Sequence, residues 1–221
     1  DLERRLRAFT TERRGTELTA IIKADAPVSR RFLEHRGYQE AYRRFEMELD
    51  VSAFDWTRYE GWRAHLGGLR LCSMAELGSD GESFRKMAEL SMALTGDVPH
   101  PEGAAQFTME DFQQFSRMPG FRPEGLFVVK DGERFVGLSG VMTLEGRPAY
   151  TYFTGVDREY RGRGLATLLK LATIEFVRGL GLSAMRTNND TLNYPMVAVN
   201  ENLGYRRLPA RVAMKRYLAP G

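Results

Sequence analysis

Three arginines and two glycines stand together just before a helical pattern, as Arg158, Arg161, Gly162, Arg163 and Gly164. An apolar, β-prone run precedes them. A helix N-terminus offers unpaired N–H donors and a partial positive charge, so it binds phosphate groups well. Arginine adds a charge that does not titrate near neutral pH. The segment therefore predicts a strand, a phosphate-binding turn and a helix.

A second polar group follows further along the chain. The segment 186–190, Arg-Thr-Asn-Asn-Asp, ends a short predicted strand, and Asn193 opens the next predicted helix. That helix closes with Leu203, Gly204 and Tyr205, where a glycine is suited to the left-handed conformation that ends many helices. The segment therefore predicts a short strand followed by a second helix.

Together the two halves resemble the GNAT superfamily of acyl-CoA-dependent N-acyltransferases, over about residues 68–218. The cofactor motif of that superfamily, Gln/Arg-x-x-Gly-x-Gly/Ala, is matched by Arg161, Gly164 and Ala166. The resemblance implies an α/β (α+β) fold, in which helices flank a mixed, mostly antiparallel sheet. It also implies an N-acetyltransferase that moves an acetyl group from acetyl-CoA to a primary amine by direct attack.

The resemblance assigns the cofactor to the strand at 149–156, the start of the following helix and the last helix. Main-chain groups of the strand and backbone N–H groups of the helix are expected to make most of the contacts. The side chain of Arg158 is expected nearby, with a solvated helix start as the alternative. The residues expected to bind the cofactor are Thr154, Gly155, Val156, Arg161, Gly162, Arg163, Gly164, Leu165, Ala166, Thr167, Asn193 and Asn200.

Candidates for catalysis are Tyr150, Tyr152 and Asn200. The two tyrosines share a strand face with Thr154 by the two-residue period of a strand. A phenol is a poor base near neutral pH, so they are alternatively packing residues that shape the acceptor pocket. Asn200 stands where many family members carry a tyrosine that protonates the leaving thiolate. An amide donates a hydrogen bond but no proton, which leaves that step to water, Tyr194 or the substrate ammonium.

The beginning of the chain repeats its end in outline. A helix (2–14), a strand (18–22), a helix that ends in Gly37-Tyr38 and a long strand (40–51) follow the same order as residues 165–218. We therefore expect 1–57 to be the back half of a degenerate GNAT-like lobe, truncated at its start, with 58–67 as a connector and 68–221 as the complete domain. An unrelated appendage is the alternative. Leu33 matches Asn200, which predicts a catalytically silent first lobe.

Composition limits the remaining classes of function. The formal net charge is +3, too small to indicate a nucleic-acid-binding protein, and no apolar run approaches the length of a membrane span. A single cysteine, Cys72, excludes an internal disulfide and favours a cytoplasmic location. The three histidines, His35, His65 and His100, lack metal-ligand spacing, so we expect no metal.

Two alternatives to the acetyltransferase stay open. One is a non-catalytic acyl-CoA-binding or scaffolding lobe, which Asn200 and the silent first lobe favour. The other is a mycothiol-synthase-like tandem acetyltransferase, which shares the two-lobe plan. The expected partners are a small-molecule or peptide amine and, for the exposed strands of the first lobe, a second copy or the missing N-terminal segment.

Overall fold

The computed structural model describes residues 5, 9, 10, 15–78, 81–98 and 107–218. Most of the helix predicted over 2–14, and His100, lie outside these residues. The described helices are α1 (Pro27–Glu34), α2 (Met74–Leu77), α3 (Gly81–Gly96), α4 (Met109–Ser116), α5 (Leu165–Gly179) and α6 (Tyr194–Asn202). The strands are β1 (Glu17–Lys23), β2 (Gln39–Asp50), β3 (Arg70–Ser73), β4 (Phe121–Asp131), β5 (Arg134–Met142), β6 (Ala149–Val156), β7 (Ala184–Asp190), β8 (Arg206–Arg207) and β9 (Arg211–Tyr217).

Residue contacts divide the chain into two compact units. Unit 1 comprises 1–46, 189–191 and 207–221, and unit 2 comprises 47–188 and 192–206. Both units are discontinuous in sequence, unlike the predicted lobes 1–57 and 68–221. The division of the chain into a degenerate and a complete GNAT lobe stays a prediction.

Unit 1 is built around strand β9. This strand pairs antiparallel with β1, from Glu17↔Tyr217 to Lys23↔Arg211, and antiparallel with the first part of β2. Helix α1 covers them with Leu33, which packs in an apolar cluster with Tyr38, Val212 and Met214. The strand predicted to end the second domain therefore supplies the hydrogen-bond partner that β1 and β2 need.

Unit 2 contains a sheet with the strand order β7-β6-β5-β4-β3. From β3 to β6, each strand pairs antiparallel with the next one along the chain, whereas β6 pairs parallel with β7. The prediction of a mixed, mostly antiparallel sheet is confirmed. The hairpin between β4 and β5 turns at Gly132 (φ 54°), as the Asp131-Gly132 pair predicts.

The helices of unit 2 bury apolar faces on this sheet. Helices α3 and α4 contribute Met87, Leu94 and Phe112 to a core with residues of β4 and β5, while α5 buries Leu165, Leu169 and other residues. Helix α4 begins with a capping box, as the spacing of Thr108 and Asp111 predicts: the Asp111 N–H donates to the Thr108 hydroxyl, and the Thr108 N–H donates to the Asp111 carboxylate (2.8 Å). These caps fix where α4 begins, beside β6.

Candidate active site

The turn between β6 and α5 depends on its two glycines. Gly162 and Gly164 have φ values of 75° and 76°, in the left-handed region that favours glycine. A Cβ added at either position would meet no atom within 4 Å, so the two residues border open space. The glycines therefore serve the backbone conformation and keep side chains away from the start of the helix.

The first turn of α5 has no side-chain cap. Gly164 is the N-cap residue, and its carbonyl accepts the first helical hydrogen bond from the Leu168 N–H (3.1 Å). The backbone N–H groups of Leu165, Ala166 and Thr167 precede that bond, where a helix supplies no acceptor of its own. The 15-residue helix adds a partial positive charge at the same end.

Strand β6 leaves part of one edge available. Its pairing with β7 runs from Ala149↔Met185 to Thr151↔Thr187, and within the described chain no later residue of β6 pairs with β7. On its other edge, β6 stays paired with β5 as far as Val156↔Gly137. On the β7 side, the main-chain groups of Phe153 to Val156 are thus available to an extended ligand, as β-strand addition requires, apart from the Val156 carbonyl, which accepts a hydrogen bond from Arg161.

These features surround a cavity of about 460 Å³, which we call the mouth cavity. All of the predicted cofactor-binding residues except Arg163 and Asn200 line it. Residues that sequence reasoning missed come mainly from the end of α3, from β6 and from α6. They are Leu94, Asp97, Val98, Phe153, Tyr160, Pro195, Met196 and Val199.

Asp97 binds two of the arginines that were predicted to face a phosphate. Its carboxylate accepts hydrogen bonds from Arg158 Nε (2.9 Å), from the terminal Arg158 nitrogen and from Arg161 (2.6 Å). The Arg158 hydrogen bonds, followed by those of Arg161, hold the pKa of Asp97 below its usual value. Arg161 also donates to the Val156 carbonyl (3.0 Å), which ties the turn to the end of β6.

Arg163 points elsewhere. It donates to the Glu159 carbonyl (3.3 Å), and its guanidinium lies 4.9 Å from the ring centroid of Tyr160. Tyr160 in turn donates to Asp131 (2.7 Å). The side chain of Arg163 therefore braces the turn, while its role in cofactor binding stays a prediction.

A bulge in β6 interrupts the predicted strand face. The register with β5 shifts between Gly140↔Phe153 and Val141↔Thr151, so Tyr152 is an extra residue and the two-residue alternation fails there. The Tyr152 hydroxyl is buried, and this burial raises the pKa of Tyr152 above its usual value. Burial disfavours the phenolate and so does not favour Tyr152 as a base; its catalytic role stays a prediction. Tyr150, outside the bulge, is half-buried, and its catalytic role stays a prediction.

Helix α6 places its two asparagines differently. Asn193 precedes the helix, makes no side-chain cap and lines the mouth cavity. Asn200 is 0 % exposed and is not among the lining residues. Its predicted roles in cofactor binding and catalysis stay predictions.

The middle of α5 buries a lysine, which sequence reasoning did not single out. Lys170 is 1 % exposed, and its Nζ lies 4.9 Å from the ring centroid of Tyr205. Among the described residues its ammonium has no hydrogen-bond partner. Burial lowers the pKa of Lys170 to about 7. One lysine in an apolar helix gives no sequence signal for this environment.

Membrane-spanning helices and metal clusters are both missing from the described residues. No helix there combines the length and the apolar character that crossing a bilayer demands. The same part of the chain holds no group of three or more His, Cys, Asp or Glu side chains placed to bind a metal ion.

Several curated proteins similar to this chain share one name. A mycothiol acetyltransferase from Thermobispora bispora is 30% identical over 155 residues, which cover 67% of this chain and 50% of that protein. One from Thermobifida fusca is 34% identical over 116 residues, which cover 48% of this chain and 36% of that protein. The chain thus spans about half, or less, of the length of these relatives.

Solved structures share the fold. A GCN5-related N-acetyltransferase from Sphaerobacter thermophilus superposes with a TM-score of 0.69 at 18% identity, over 93% of this chain and 61% of that one. A tandem GNAT protein from the clavulanic acid biosynthesis pathway superposes with a TM-score of 0.66 at 22% identity, over 97% of this chain and 68% of that one. At these identities the likeness supports the fold alone.

The sequence model of the acetyltransferase (GNAT) family matches residues 89–205, which is more than half of the chain. The matched segment begins in α3 and ends after α6, so it includes the glycine turn, the open edge of β6 and the mouth cavity. The chain belongs to the GNAT family of acetyltransferases.

Proposed function

We propose that this chain is an acyl-CoA-dependent N-acetyltransferase that transfers an acetyl group from acetyl-CoA to a primary amine. The observation that carries the proposal is the mouth cavity itself, where an uncapped helix start meets the open edge of a strand. A diphosphate is suited to the first and an extended amide-bearing arm to the second. The family match makes acetyl-CoA the ligand that carries both groups.

Each part of the site has a separate task in this proposal. The N–H groups of Leu165 to Thr167 bind the diphosphate, and the main chain of Thr154 to Val156 pairs with the arm. When bound, acetyl-CoA supplies a thioester whose carbonyl carbon is open to attack and whose thiolate can leave. Arg161 keeps the glycine turn attached to β6 through the Val156 carbonyl.

The described residues that line the mouth cavity offer no general base. Among the described residues that line the mouth cavity, the titratable side chains are Asp97, Tyr160 and Arg161. The pKa of Asp97 is lowered, mainly by Arg158, and that of Tyr160 is raised, mainly by its hydrogen bond to Asp131. The amine therefore loses its proton to solvent before it attacks, and kcat/KM rises with pH up to the pKa of the amine.

Calorimetry with acetyl-CoA tests the proposal. Gly164→Glu places a side chain and a negative charge at the helix start, and we expect it to weaken binding by roughly 30-fold or more. Gly181→Glu is the matched control: Gly181 follows the other end of α5, has φ 72° and borders open space, so it carries the same backbone strain. Equal affinities for both variants, or no binding by the unchanged protein, would defeat the proposal.

Release of free thiol in a panel of amines then separates the enzyme from a non-catalytic acyl-CoA-binding lobe, which would bind without release. The relatives' name supports a second candidate, a mycothiol acetyltransferase activity, which mass spectrometry of the acetylated product would identify. A cytoplasmic location stays a prediction that rests on the single cysteine, Cys72. Self-association and the absence of nucleic-acid and membrane partners also stay predictions.

A further inference from the structure

A second cavity lies beside the mouth cavity in unit 2. It measures about 270 Å³ and is lined by side chains of α3, α4, β4, β5 and β6, together with Phe107. We call it the phenylalanine cavity, because Phe107, Phe112, Phe115 and Phe153 all line it. Phe153 also lines the mouth cavity, so the two spaces meet at one side chain.

The described lining of the phenylalanine cavity carries no charge. Two of its hydroxyl groups are turned to other partners: Ser91 donates to the Met87 carbonyl (2.8 Å), and Thr95 donates to the Ser91 carbonyl (2.7 Å). The third, that of Tyr152, is buried without a hydrogen-bond partner among the described residues. The Tyr152 hydroxyl lies against Gly140, where an added Cβ would stand 2.0 Å from it. A charged ligand group would lose its hydration here without gaining an opposite charge from the described lining.

Glycines make room for the aromatic side chains that shape both spaces. Gly140 accommodates the ring of Tyr152, which packs against Phe115 in a tilted arrangement (59°) with a centroid distance of 4.4 Å. A Cβ at Gly155 would meet the Phe153 ring at 2.8 Å and Leu94 at 3.0 Å. The Phe153 side chain, which lies between the two cavities, is thus held by packing on the strand pair β5–β6.

We propose that the phenylalanine cavity binds an uncharged, apolar group of the substrate while the reacting atoms lie in the mouth cavity. A cavity of about 150 Å³ holds benzene, so this one admits an alkyl or aryl group of roughly eight to ten carbon atoms. Such a group reaches it from the acyl chain of the thioester or from the amine. The inference rests on the proposed function and removes polyamines and free amino-acid carboxylates as occupants of this cavity.

Two titrations of the full chain distinguish the two sources. The first compares acetyl-CoA with hexanoyl-CoA; each methylene removed from water is worth about fourfold in affinity, so an acyl occupant predicts at least about tenfold tighter binding of hexanoyl-CoA. The second compares phenethylamine with ethanolamine, with and without CoA. An amine occupant predicts at least about tenfold tighter binding of phenethylamine.

Variants on α3 tie the preference to this cavity. Thr95→Phe fills it and is expected to abolish the tenfold preference, with CoA affinity unchanged. Met92→Phe, at an exposed position of the same helix outside the lining, is expected to keep the preference. If circular dichroism shows that Thr95→Phe is unfolded, Ser91→Leu replaces it.

These experiments distinguish a failure of this inference from a failure of the proposed function. CoA binding without a preference in either titration overturns the inference and leaves the proposed function standing. A preference that survives Thr95→Phe also overturns the inference. No CoA binding defeats the proposed function, and the titrations of the two amines without CoA still decide whether this cavity accepts an apolar group.

Discussion

Helices α1 and α6 end in the same way but in different surroundings. Each closes with a glycine of positive φ, Gly37 (78°) or Gly204 (89°), followed by a buried tyrosine. The tyrosine N–H donates back to the helix in both, to the Leu33 carbonyl (3.1 Å) and to the Asn200 carbonyl (3.0 Å). Both helices therefore end in a Schellman-type motif, while the repeat predicted from the sequence stays a prediction.

What differs is the environment of the two tyrosines. Tyr38 packs in the apolar cluster of unit 1, whereas Tyr205 faces the ammonium of Lys170 in unit 2. Leu33 and Asn200 stand at the same place in the two endings, and both are buried. The comparison teaches that this position is buried at both helix ends, although one side chain is apolar and the other polar.

The largest expected effect comes from Lys170→Met, which removes the buried amine beside Tyr205. With a folded pKa of about 7, against about 10.5 unfolded, Lys170 lowers stability most at pH 7 and below. We expect the variant to raise the free energy of unfolding at pH 7 by on the order of 3 kcal/mol, with a gain that shrinks by up to about 1.4 kcal/mol per pH unit as pH rises.

Urea denaturation from pH 6 to pH 10 measures this effect, below the range where the raised pKa of Tyr205 matters. Lys215→Met is the control: that lysine is also buried, but its ammonium contacts Glu17 at 2.9 Å. Its loss leaves a carboxylate without its partner, so the control should lower stability. A pH-independent gain for Lys170→Met would contradict the burial of a titrating amine.

The next largest effect on stability is expected from exchanging the side chains at the two matched positions, Leu33 and Asn200. Leu33→Asn puts an amide into the apolar cluster of unit 1 and should cost about 2–3 kcal/mol of stability. Asn200→Leu should change stability by less than about 1.5 kcal/mol, since the two side chains have similar size. Calorimetry with acetyl-CoA is decisive for Asn200: we expect an affinity within about threefold of the unchanged protein, and a large loss would restore it as a cofactor-binding residue.

The smallest effect is expected from the two glycines. A Cβ at Gly37 would come no closer than 3.8 Å to its nearest neighbour, and one at Gly204 no closer than 3.7 Å. Gly37→Ala and Gly204→Ala should therefore each cost only the left-handed strain, about 1–2 kcal/mol. Thermal unfolding of both variants checks this, and a marked difference between them would show that the endings are not equivalent.

Local patterns predicted much of the fold and of the site. The Asp131-Gly132 turn, the capping box at Thr108 and the helix after Gly164 depend on neighbours in sequence, and all three are present. Of these features, the helix after Gly164 supplies its first turn to the lining of the mouth cavity. The main-chain part of the site could for this reason be predicted from the amino-acid sequence.

Contacts between distant segments could not be predicted in this way. Asp97 reaches Arg158 and Arg161 from more than 60 residues away, and the bulge at Tyr152 is a property of two strands. No local pattern encodes either one. The same holds for Lys170, whose burial depends on where α5 lies against Tyr205. Side-chain roles at the site were accordingly predicted less well than its backbone.

The central claim, that the first turn of α5 binds the diphosphate of the cofactor, is tested most directly by NMR of backbone amides during a titration with CoA. We expect the largest shift changes at Arg163 to Thr167, and none of similar size in the first turn of α1, which opens with Pro27 and Val28. Saturable binding that leaves the amides of residues 163–167 unchanged would contradict the account.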